Sequence, residues 1–130
     1  MRKYLPLLAA SLLLGAGAAQ ARPVDGEAEL ARALEGRVAG EPVNCISLYR
    51  ARSSRVIPGT AIIYDSGGTI YVNRPRSGAE SLNRWDALVT RTPSTQLCSI
   101  DTVQVVDLTS RMMTGIVFLG DFVPYRRVRD

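Results

Sequence analysis

The stretch Asn44 to Thr60, NCISLYRARSSRVIPGT, sets three arginines close behind a cysteine. Arg50, Arg52 and Arg55 carry planar guanidinium forks, which grip carboxylates and phosphates through paired hydrogen bonds. Arg74 and Arg76 follow a second β-rich run, Thr69 to Asn73. If the strands starting at Asn44 and Thr69 end on the same side of the domain, these five arginines converge on an anion- or partner-binding patch. The competing reading is a set of solvated strand ends whose charges discourage strand addition by other chains. The second reading is the favoured one.

Acid–base chemistry has fewer candidates. Asp101, Asp107 and Asp121 sit in or beside β-branched runs, where paired carboxylates could work. Asp101 alternates in phase with Val103 and Val105, which marks it as a possible buried acid with an arginine as its expected partner. Asp107 and Asp121 read as strand ends or turn caps. The chain has no histidine, so the usual general base and the commonest metal ligand are both missing. Asp65-Ser66-Gly67-Gly68 is similar to the segment around the nucleophile of trypsin-like serine proteases, but no imidazole is there to take the serine proton. The same four residues are those expected of a hairpin turn. No Walker loop, GxGxxG or HExxH occurs. No catalytic residue, metal or cofactor is assigned, and an enzyme is the disfavoured reading.

Cys45 and Cys98 are the only cysteines of the 130-residue chain. In an oxidising compartment they allow one intramolecular bridge. Closing a loop of that span restricts the unfolded chain by about 4 kcal/mol. The N-terminus points to such a compartment. Arg2 and Lys3 form a basic start, Leu5 to Gly17 an apolar run, and Ala19-Gln20-Ala21 a small-x-small cleavage pattern. Residues 1–21 therefore read as a signal peptide, with export to a bacterial periplasm or beyond. The apolar run is short for a membrane span, and no second one follows. Cleavage would leave 109 of the 130 residues, a size that supports a modest core. It would also take 16 basic groups to 14 against 12 acidic ones, so the net charge falls from +4 to +2. That small excess makes nucleic acid an unlikely partner. Every remaining basic residue is arginine.

These groups need elements to hold them. Residues 22–42 read as a short helix and linker. Asp25 is the N-cap, Glu27 and Glu29 suit the helix start, and Leu30, Ala33, Leu34 and Val38 form a helical stripe that Gly36 or Gly40 ends. Residues 43–130 read as a single β-rich domain. Strands are expected from Asn44 to Arg52, Thr60 to Tyr64, Thr69 to Asn73, Ala87 to Arg91, Ile100 to Leu108 and Thr114 to Tyr125. Gly115 and Gly120 mark a bulge or bend in the last of these. Leu82 and Trp85 are expected to anchor the polar connection after Arg74, Tyr64 and Tyr71 could offer stacking surface, and the tail VPYRRVRD is expected to fray. The fold class is mainly β: a small antiparallel barrel-like domain, OB-like or a sandwich, with one N-terminal helix and one disulfide.

The segments CISLYRARSSRVIPGTAIIYDSGGTIYVNRP, QLCSIDTV and LGDFVPY are similar to a family of short exported bacterial proteins classed as a domain of unknown function. The resemblance runs from about Cys45 to Tyr125. It rests on the Cys45/Cys98 pair, the Arg52–Arg55 break, Tyr71-Val72-Asn73-Arg74 and Asp101. It implies export and a small domain, and it carries no activity.

The leading expectation is a non-enzymatic periplasmic or secreted binding module whose partner is an envelope protein or an anionic glycan or lipid. The alternatives are a carboxylate hydrolase centred on Asp101 and a small hydrolase inhibitor, of lysozyme for instance, that presents a loop such as Ser77 to Arg84.

Overall fold

Asp25 opens the one α-helix among the described residues, α1 (Gly26–Ala33), by accepting hydrogen bonds from the amides of Glu27 (3.0 Å) and Ala28 (3.2 Å). The computed structural model describes residues 25–129, together with Gly15 and Gly17. The candidate signal peptide, apart from those two glycines, and residues 22–24 of the expected helix and linker lie outside the described residues. The helix is shorter than its apolar stripe predicts. Gly36 adopts φ +73°, a left-handed turn that glycine enters without a Cβ penalty, and the chain reverses there. Val38 consequently leaves the stripe and lies 59% exposed in strand β1 (Arg37–Ala39).

Nine further strands follow. They are β2 (Cys45–Ser47), β3 (Ser53–Ile57), β4 (Ala61–Ser66), β5 (Thr69–Asn73), β6 (Ala87–Thr90), β7 (Gln96–Cys98), β8 (Thr102–Val106), β9 (Met113–Phe118) and β10 (Phe122–Arg127). All pairings are antiparallel. They build a five-stranded sheet in the order β1-β10-β5-β4-β3, a three-stranded sheet β6-β8-β9 and a two-stranded ribbon β2-β7. The fold is mainly β with one short helix, as expected.

Both faces of the large sheet are covered, which is why β4 reads as an apolar run rather than an alternation. Leu30 of α1 packs with Ile57, Ala61, Ile63, Ile70 and Val72 on one face. On the other, Val56, Ile62, Tyr64 and Phe122 join Val103, Val105 and Val117 of the small sheet. Full burial of a side chain such as Phe122 contributes about 1.5–3 kcal/mol. The sheets thus share a core, in the manner of a sandwich.

Several expected elements are redrawn. The strand from Asn44 stops at Ser47, because residues 48–50 turn and Ser53–Ile57 forms its own strand against β4. Ser53-Ser54, expected as a break, begins β3. The last expected strand divides in two. Register shifts opposite Val105/Val106, next to Gly115, and the chain then crosses at Leu119–Asp121 from the small sheet to the large one. Gly120 is required at that crossing, since a Cβ would collide with the carbonyl of Arg74. Most of the expected loose tail is ordered: Val123 to Arg127 belong to β10, which lies between β1 and β5, and Pro124 is buried. Trp85 is no core anchor, being 79% exposed, whereas Leu82 is buried. Tyr64 offers no stacking surface. It is buried edge-on against Phe122 with ring centroids 5.9 Å apart, and burial pushes its phenol above the ordinary tyrosine range. Tyr71 is half-buried against the same cluster.

Candidate functional site

The β4–β5 hairpin decides where the five expected arginines go. Ser66 pairs with Thr69, so Gly67-Gly68 is a two-residue turn, with Gly67 at φ +69°. Asp65-Ser66-Gly67-Gly68 is therefore hairpin geometry. Arg52 lies at the turn end, where its amide donates to the carbonyl of Asp65. Arg74 leaves the opposite end, after Asn73 has paired with Ile62. An offset of four residues separates the two positions by about 14 Å along the strands. The five arginines do not converge.

At the Arg74 end, guanidinium groups meet carboxylates. Arg74 forks onto Glu27 at 2.6 and 3.0 Å. Arg84 forks onto Glu29 at 2.8 and 2.9 Å, and Arg55 reaches the same carboxylate at 3.5 Å. The Arg74 hydrogen bonds hold the Glu27 carboxyl below its ordinary value, and those of Arg84, helped by Arg55, do the same for Glu29. Arg76 donates to the carbonyls of Leu119 (2.7 Å) and Ser99 (3.3 Å), bracing the crossing between the sheets. Asn73 braces it as well. Fully buried, its side-chain amide donates to the carbonyl of Gly120 at 2.7 Å and accepts from that residue's N–H at 3.0 Å. Arg74, Arg76 and Arg84 are structural.

The turn end is different. Arg50 and Arg52 lie beside Ser66 and Gly67 with the exposed Tyr49. Arg126 and Arg129 lie beside Gly68 and Thr69. Arg37 and Arg127 are paired cross-strand neighbours, and Arg32 closes the rim from the last turn of α1. None of these seven arginines has a carboxylate partner among the described residues. Arg32, Arg37 and Arg127 line one cleft together with Arg55, and Glu35 and Asp65 are the acids of its lining. Of the five expected arginines, Arg50 and Arg52 belong here and Arg55 borders it. Arg32, Arg37, Arg126, Arg127 and Arg129 are not marked by the sequence, because the β1–β10 register that gathers Arg37, Arg126 and Arg127 joins segments far apart in sequence.

Asp101 is half-buried, and its partner is backbone rather than arginine. Its carboxylate accepts from the amide of Cys98 at 2.7 Å, and its own amide donates to the Cys98 carbonyl at 2.9 Å. Among the described residues it forms no ion pair. Cys45 and Cys98 are bonded and sit directly opposite each other in the β2–β7 ribbon, so Asp101 braces the turn beside the disulfide. Asp107 likewise caps a turn, accepting from the amides of Thr109 and Ser110. Among the described residues, no group of three or more acidic or cysteine side chains is placed to hold a metal ion. Nor is any helix there long and apolar enough to cross a membrane.

No family model, curated protein or solved structure matches the chain.

Proposed function

We propose that the chain is a non-enzymatic binding module, exported to the periplasm or beyond, whose arginine-rich end takes an anionic component of the cell envelope. The observation that carries this reading is the set of seven arginines around the β4–β5 turn without carboxylate partners among the described residues. The disulfide fits an oxidising compartment. Guanidinium groups left unpaired by the fold are free to bind phosphate or carboxylate groups through charge-assisted hydrogen bonds. Asp101, spent on the Cys98 amide, gives no support to a carboxylate hydrolase.

The test is retention of residues 22–130 on a heparin column, with cosedimentation on vesicles containing phosphatidylglycerol. Retention at low salt that falls steeply as salt rises is expected, because exposed charges are screened over a Debye length of about 10 Å at 0.1 M. The triple variant Arg50→Gln/Arg52→Gln/Arg126→Gln should elute earlier. Absence of retention on both supports at low salt, or retention indifferent to salt, sinks the reading.

A further inference from the structure

We propose that the cleft beside the end of α1 is a site for a phosphomonoester group attached to an organic body. This proposal rests on the anion-binding reading above and names the ligand chemistry of one part of that surface. The cleft measures about 470 Å³, within the range of small-molecule sites. Four arginines from four separate elements line it: Arg32 of α1, Arg37 of β1, Arg55 of β3 and Arg127 of β10.

The register makes the arrangement unusual. Arg37 and Arg127 are direct cross-strand partners, so both side chains leave the same face of the sheet. Like charges directly opposite one another destabilise a sheet. Neither has a carboxylate partner among the described residues to relieve that repulsion. Arg37 is aimed by long contacts from Nη1 to the carbonyls of Gly68 (3.4 Å) and Tyr125 (3.3 Å). Arg127 makes no side-chain hydrogen bond among the described residues. An anion lying between the two forks converts the repulsion into a pair of charge-assisted contacts.

Charge and shape select the anion. Arg32, Arg37 and Arg127 outnumber Glu35 and Asp65 in the lining, and Arg55, already paired with Glu29, adds to the positive rim. A phosphomonoester carries about −1.5 to −2 charge at pH 7 and three strong acceptor oxygens, which suits several forks better than a carboxylate with two oxygens. Ile63, Ile70 and Ala33 form an apolar floor, which gives the organic body a surface to rest on. The negative end of the α1 dipole works against an anion here. Its reach is confined to the last turn, and Arg32 occupies that turn.

The experiment titrates residues 22–130 with phenyl phosphate, inorganic phosphate and benzoate, followed by calorimetry. Phenyl phosphate should bind about tenfold more tightly than benzoate, which shares its apolar ring but carries one charge. Affinity for phenyl phosphate should rise between roughly pH 5 and pH 7.5 as the second phosphoryl proton leaves near pH 6. Arg127→Gln should weaken binding at least about fivefold, and Arg37→Gln should do the same. Arg91→Gln, on an exposed connection, should leave it unchanged. Vesicles distinguish the source: preference for phosphatidic acid over phosphatidylglycerol supports a lipid headgroup, and its absence supports a soluble phosphomonoester, whereas inorganic phosphate binding as tightly as phenyl phosphate overturns the organic body. Equal affinity for benzoate and phenyl phosphate, or full affinity in Arg127→Gln, overturns the phosphomonoester site. Heparin retention of the same protein is a separate readout, so the broader anion-binding reading can survive that failure.

Discussion

The two ends of the five-stranded sheet use the same residue type in opposite ways. At one end, Arg74 and Arg84 are forked onto Glu27 and Glu29, and α1 is fastened to the segments beside the sheet. At the other, Arg37 and Arg127 face each other without a carboxylate partner among the described residues, and Arg50, Arg52, Arg126 and Arg129 ring the hairpin turn. Composition does not separate these roles. What separates them is whether the fold has already supplied a counter-charge. An arginine with its carboxylate in place holds structure together, and one without it is available to something else.

The largest expected effect undoes both ends together. Reducing the Cys45–Cys98 bond should cost about 4 kcal/mol by releasing the unfolded chain, read as a lower urea midpoint with reductant present. If stability barely moves, the ribbon is not what ties the core beneath the sheet. Next comes the crossing between the sheets. Asn73→Ala leaves both polar groups of Gly120 buried without partners and should cost about 2–3 kcal/mol, measured the same way.

Weaker perturbations sharpen the contrast. Glu29→Gln should lower stability by about 1 kcal/mol in urea titrations, because the pairs it loses are partly exposed. Acid should act through the same residues. The folded carboxyl values of Glu27 and Glu29 lie below the ordinary 4.5, so their contribution is fully present above that pH. It is lost as pH falls through the lowered folded values. Thermal melts taken downward from roughly pH 6 to pH 3 should show this loss, and a Glu27→Gln/Glu29→Gln variant should show less of it. The smallest effect on stability is expected at the turn end. Arg52→Gln and Arg126→Gln should each change it by less than about 0.5 kcal/mol while lowering heparin retention. A large loss of stability there would make those arginines structural and erase the difference between the two ends.

Some features depend on local signals in the sequence. Asp25 caps α1, the Gly67-Gly68 turn joins β4 to β5, and Thr69–Asn73 is a strand with its expected bounds, because each depends on neighbours a few residues away. Cys45 and Cys98 were legible because two cysteines allow one bridge. The rest depends on distant pairing. Arg126 and Arg127 looked like a loose basic tail, since nothing near them in sequence reveals Arg37–Ala39 as the strand alongside. Arg74 and Arg76 looked like members of the same patch as Arg50 and Arg52, since residue spacing does not tell which end of a hairpin a side chain leaves from. Asn73 sits among β-branched residues, and its burial follows only from the chain crossing at Gly120. The candidate site is assembled almost entirely from contacts of this long-range kind.

The place of β10 also sets a clock. Strand β10 lies inside the five-stranded sheet, with β1 on one side and the β4–β5 hairpin on the other. While the chain emerges N-terminus first, β5 keeps one edge unpaired until β10, about 50 residues later, has followed. That edge is a template for wrong pairing, as transiently exposed strands are during slow assembly. Closure of this sheet therefore waits for β10, and removing that strand parts β1 from β5 instead of trimming an edge.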